Sequence, residues 1–189
     1  AYAGAKYIEP CLKATFTDGV RDVVLTFDHA EVLDSDIPML EIHLRDAHYP
    51  LSVILTYCVW EEFDLIERYA TVKNNGDTDI MLERIWSAQW QLPVGEQYHI
   101  SHMHGRWANE FQMIREPLAN GVKSIESRRL TTSHHHTPWF AIDRGNIEEE
   151  HGDLWFGTLA WSGNWKIVAE VTEFSTTRVS IGLNDWDFA

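Results

Sequence analysis

The side chains best suited to chemistry lie in the middle of this 189-residue chain. The run Gly105-Arg106-Trp107-Ala108-Asn109-Glu110-Phe111 sets a large indole among small and polar groups. An indole is rigid and offers an apolar face, so it can pack against the C–H face of a sugar ring with little loss of entropy. The competing reading seats Trp107 in a hydrophobic core, where most Trp residues of a β-sandwich belong. Residue types alone leave both open.

Histidines and carboxylates also cluster. His99, His102 and His104 lie close together, and His134, His135 and His136 are consecutive. Imidazoles in such numbers suit zinc or copper. Consecutive strand residues point to opposite faces, however, so three adjacent histidines cannot all meet one ion. No cysteine stands near them, so the sequence predicts a hydrogen-bonded polar loop and no metal site. Glycoside hydrolysis needs two carboxyl groups flanking the bond. Glu61 and Glu62, Asp34 and Asp36, the run Glu148 to Glu150, and Asp185 with Asp187 are all available. None is marked by an apolar setting that would separate a pair of pKa values, so no catalytic residue is assigned in this chain. A Gly-x-Ser-x-Gly elbow and a glycine-rich phosphate loop are both missing from the sequence, and no cofactor is expected. Arg128 and Arg129 should point opposite ways on a short strand, with internal ion pairs as the default. Trp139, Trp155, Trp161 and Trp165 are expected in the core or at a subunit interface.

Composition narrows the classes. Fifteen basic against 29 acidic residues give a formal net charge of −14, which repels phosphate backbones and argues against a nucleic-acid partner. Cys11 and Cys58 are too few for a disulfide framework. No apolar run approaches the roughly 20 residues that span a bilayer, so no membrane partner is expected. The sequence opens on Ala1 with no leader peptide, which reads as an excised segment of a cytoplasmic protein.

The elements that must carry these residues are strands. Period-two alternation of β-branched and aromatic residues runs through 22–28, 63–74, 165–174 and 177–183, and 51–60 reads as a buried strand. Turn residues fall between them at Asp18-Gly19, Asn74-Asn75-Gly76-Asp77, Asn120-Gly121, Arg144-Gly145-Asn146 and Ser162-Gly163-Asn164. Only 37–44 and 59–66 could hold a short helical turn. The pattern predicts an all-β chain, a single antiparallel β-sandwich domain over 1–189.

Four motifs carry a resemblance to one family over essentially the whole chain. They are Gly-Arg-Trp-x-Asn-Glu at 105–110, Glu-Ser-Arg-Arg at 126–129, Ser-His-x-His-x-Pro at 133–138 and Leu-Ala-Trp-Ser-Gly-Asn-Trp at 159–165. The closing Gly-Leu-Asn-Asp-Trp-Asp-Phe at 182–188 fits as well. The chain resembles the N-terminal β-supersandwich of bacterial α-galactosidases of glycoside hydrolase family 36, shortened on its N-terminal side. The resemblance implies a parent enzyme that hydrolyses terminal α-1,6-galactosides of the melibiose and raffinose type with retention. The two catalytic Asp residues would then sit in a (β/α)8 barrel that this all-strand sequence does not contain. It further implies a homo-oligomer, a tetramer, in which this domain helps close a neighbour's active site, and a segment inactive alone. On that resemblance Trp107 becomes a contact to the galactoside substrate, with Arg106 and Asn109 positioning its loop. Ala108 stands where many relatives have Gly.

Two other readings compete. One is a free-standing carbohydrate-binding module; the other is a structural β-sandwich whose exposed aromatics serve only oligomerisation.

Overall fold

The computed structural model describes residues 8–95 and 97–185, so Trp186, Asp187 and Phe188 of the closing motif lie outside the described residues. The described strands pair antiparallel, and a short 3-10 turn stands at Glu61–Phe63. The chain divides into two compact units, one up to Ala88 and one from Gln89.

In the first unit, β1 (Leu12–Thr15) pairs with β6 (Met81–Gln91), whose last residues enter the second unit. The strands β2 (Leu25–Leu33), β3 (Met39–Asp46), β4 (Leu51–Trp60) and β5 (Leu65–Asn74) follow one another as an antiparallel meander. Strand β4 lies inside this sheet, between β3 and β5, which is why its sequence is a nearly unbroken apolar run. The unit's core is Ala14, Phe16, Val23 and Leu51, wrapped by Tyr49, Val72 and Leu82. Full burial of Phe16 or Leu51 contributes about 1.5–3 kcal/mol each. Cys58 is buried on β4 and Cys11, just before β1, is half-buried; both are free, and burial raises both thiol pKa values.

Three local expectations are corrected here. Residues 37–44 form no helical turn; Met39 onward is β3, held by β2 and β4 on either side. The alternation at 22–28 misplaces its strand, since β2 starts at Leu25. Val23 turns into the core, and Asp46 Oδ2 accepts the Val24 N–H at 2.7 Å. The Asn74–Asp77 turn does not join hairpin partners, because β5 pairs with β4 and β6 with β1. Gly76 is needed there for space: a Cβ would stand 2.6 Å from Pro50 Cγ.

The second unit has two layers. One sheet runs β11 (Leu154–Thr158), β10 (His136–Asp143), β7 (His99–Arg106), β8 (Asn109–Pro117). Facing it, β12 (Trp165–Val171) lies between β9 (Gly121–Ser127) and β13 (Thr177–Leu183). Tyr98, Ile100, Phe140 and Ile142 of the first layer and Ile125, Trp165, Ile167, Val179 and Ile181 of the second are buried, Trp165 completely. Among the described residues no helix is long and apolar enough to cross a membrane.

Candidate functional site

The Trp107 segment is the tip of the β7–β8 hairpin. Arg106 pairs with Asn109, so Trp107 and Ala108 are the two turn residues rather than the start of a strand. The turn holds Ala108 in the left-handed region at φ +62°, and the Glu110 side chain accepts its N–H at 3.0 Å. Below the tip the register slips, with Phe111 also at φ +56°, which bulges β8 around Gly105. Gly105 has no room for a side chain: a Cβ would meet Glu110 Cα at 2.7 Å and Asn109 O at 2.8 Å. Its N–H donates to His135 O at 3.2 Å, tying the 133–135 loop to the neck of the hairpin.

Trp107 is 82% exposed, which excludes the core alternative. Arg106, Ala108 and Asn109 are exposed beside it. Phe111 and Met113, on β8, are also solvent-facing at 71% and 65%. Sequence reasoning did not single them out, although their spacing of two places them on one face. The polar hairpin thus presents three large apolar side chains to solvent.

Behind the tip runs a strip of imidazoles. His102 and His104 share a face of β7, and His136 of β10 lies opposite His104. The His136 ring stands 6.0 Å from His102 and 5.5 Å from His104, centroid to centroid. Burial holds His102 below its usual range, against the opposing pull of its hydrogen bond with Glu116 at 3.3 Å. Glu116 also pairs with Lys123 at 2.7 Å, which lowers its pKa. His136 is likewise lowered by burial. Both shifts favour the neutral, hydrogen-bonding form of His102 and His136 near pH 7. A tighter grouping of ligand-type atoms lies in the first unit: His29, Glu31 and His43, all within 4.8 Å of one another. Sequence reasoning weighed other histidines and missed it, because the three meet only through strand pairing.

The other expected residues fall as follows. Trp165 is core, Trp139 and Trp155 are half-buried, but Trp161 is 48% exposed, because it follows β11 in an open turn. Arg128 and Arg129 lie beyond the end of β9, not on it; Arg128 pairs with Glu126. Asp34, Asp36, Glu61, Glu62 and Glu148 to Glu150 are all exposed, and Asp187 lies outside the described residues. A groove of 340 Å³ in the second unit is lined by Tyr98, Asn120, Ser175 and Thr177 among others, with no carboxylate or imidazole in its wall.

A model of the "Glycosyl hydrolase family 36 N-terminal domain" matches residues 1–189. Alpha-galactosidase AgaA of Geobacillus stearothermophilus is 36% identical over 155 residues, covering 82% of this chain and 21% of that protein. Crystal structures of AgaA variants from the same organism, one in complex with stachyose and one with raffinose, superpose with a TM-score of 0.92 at 29% identity. These matches cover 99% of this chain and 28% of those chains. The chain spans about a fifth of the length of the curated relatives it matches.

Proposed function

The chain belongs to the glycosyl hydrolase family 36 N-terminal domains, and from that premise we propose that it works as the non-catalytic N-terminal part of an α-galactosidase. The parent enzyme would hydrolyse terminal α-1,6-galactosides with retention, and this part would contribute to oligomer assembly and to closing the active site. Support for the substrate class comes from relatives crystallised with stachyose and raffinose. Trp107 is proposed as the substrate contact, with Arg106 and Asn109 holding its turn. The observation that carries this role is an indole 82% exposed on a two-residue turn whose neck has no spare volume. An exposed ring on a rigid support loses little freedom when a sugar packs on it.

Retaining hydrolysis needs two carboxyl groups about 5–5.5 Å apart across the bond. Asp34, Asp36, Glu61, Glu62 and Glu148 to Glu150 are exposed, and Asp185 is half-buried, which favours a segment inactive alone. In the full-length enzyme, Trp107→Ala should raise KM for raffinose or lower kcat, while the isolated segment releases no galactose. Unchanged kinetics in that variant would remove Trp107 from the site; hydrolysis by the segment would end the whole reading.

A free-standing carbohydrate-binding module is the second reading, and the same exposed indole favours it. Calorimetric binding of raffinose to the isolated segment would support it, and no heat would dismiss it. A cytoplasmic, tetrameric parent is also proposed; sedimentation of the full-length enzyme tests the assembly. We take residues 1–189 as one domain, supported by a single domain family matching all of them. One calorimetric transition is expected, and two separated transitions would overturn it.

A further inference from the structure

We propose that His29, Glu31, Glu41 and His43 form a binding site for a divalent transition-metal ion, zinc foremost, on the face of the β2–β3 hairpin. The placement follows from register. His29 lies directly opposite His43, and Glu31 directly opposite Glu41. Residues two apart on a strand share a face, so the four side chains make a square of two imidazoles and two carboxylates. The hairpin's irregularity between Phe27 and His29 sets this phase. Without that slip His29 would not face His43.

The geometry suits an ion. One ligand atom each from His29, Glu31 and His43 fits within 4.8 Å of the others. Ligand bonds of about 2.0–2.2 Å bring such atoms to roughly 3–3.5 Å apart around zinc, a small contraction from this spread. The imidazole rings stack at 4.2 Å and 11°, so they already lie nearly parallel on one side of the hairpin. His43 Nε2 stands 3.3 Å from Glu31 Oε1 and 3.2 Å from Glu41 Oε2. A further carboxylate supports the outer ring: Asp28 Oδ2 stands 3.1 Å from His29 Nδ1 and also pairs with Arg45. A carboxylate on one ring nitrogen orients the imidazole and leaves the other nitrogen to the metal. His43 is only 20% exposed and Glu41 24%, whereas His29 and Glu31 remain about half open, so an ion can enter from solvent and keep water as a remaining ligand. The two imidazoles favour such ions over calcium or magnesium, which prefer all-oxygen ligand sets. The competing account of the same square is a His43 ring simply shared by two glutamates, with no ion.

Titration calorimetry of the purified chain with zinc sulfate, in chelator-free buffer, decides between them. One zinc per chain is expected, with His43→Gln weakening binding by about tenfold or more and His29→Gln with His43→Gln abolishing it. The paired variant His134→Gln with His135→Gln, in the other histidine cluster, should bind as the parent does. Circular dichroism of each variant checks folding, and cobalt(II) should give a visible band from a low-coordinate site in the parent that the His29/His43 variant lacks. Absence of saturable binding, undiminished binding in the folded His29/His43 variant, or loss on substituting His134 and His135 would each overturn the site.

Discussion

Arg115 on β8 reaches across β7 to grip Asp143 on β10 through two parallel hydrogen bonds, Nε to Oδ2 at 3.0 Å and Nη2 to Oδ1 at 2.7 Å. Asp143 is only 1% exposed and also accepts the Gly145 N–H at 2.7 Å. The pair ties together three strands of the sheet that carries the Trp107 hairpin. Its bidentate form and the burial of its carboxylate set it apart from the exposed ion pairs of this acidic surface, which contribute little.

Hydrogen bonding to Arg115 holds the Asp143 carboxyl below its ordinary value. A depressed carboxylate stabilises the fold above the unfolded pKa, about 3.9 for Asp. That stabilisation is lost as pH falls through the lower folded value. Asp143→Asn should therefore reduce stability at pH 7 by about 1–3 kcal/mol and flatten the loss below pH ~4. Urea unfolding across that range checks it; an unchanged acid limb would show that the pair does not carry this dependence.

A second, milder window lies higher. His102 and His136 are lowered by burial, so the unfolded chain takes up protons at these positions before the folded one does. Stability should begin to fall as pH drops below about 6.5, by at most about 1.4 kcal/mol per unit for each histidine. His102→Gln should weaken that slope. Denaturation midpoints at pH 7.5 and 5.5, as ~ bracketing values of this window, measure it; parallel slopes in parent and variant would refute it.

The turn at Trp107 and Ala108 predicts opposite effects for two small substitutions. Left-handed backbone costs an L-residue about 1–2 kcal/mol, offset by the extra freedom glycine has when unfolded. Ala108→Gly should be neutral to stabilising, by up to about 1 kcal/mol. Gly105→Ala forces its new methyl into the Glu110 backbone and should cost about 1–3 kcal/mol. Chemical denaturation ranks the two.

Trp107→Ala should leave stability within about 0.5 kcal/mol of the parent, because the ring packs on little of this chain. Ile167→Ala, at a site with no exposure, should cost about 2–5 kcal/mol. A thermal melt of both separates a side chain kept for an external partner from one kept for the core. A large loss in the first variant would move Trp107 back into structure.

Much of this molecule was legible in the residues alone. Alternation located β13 over its full length, and the apolar run at 51–60 became β4 unaltered, because a period of two and a doubly flanked strand each leave a local imprint. The Gly-Arg-Trp-x-Asn segment marked its hairpin by composition, and the family motifs by their order. What no local pattern carries is partnership between distant strands. The grip of Arg115 on Asp143 spans 28 residues, and the facing of His29 with His43 depends on a one-residue slip in β2. The exposure of Trp107 had the same origin: its residue type suited core and surface equally, and only the closing of β7 on β8, with no volume at Gly105, turned the ring outward. Register and sheet order decide such relations, because each strand offers two faces and several possible neighbours, and only the packed sheets select among them.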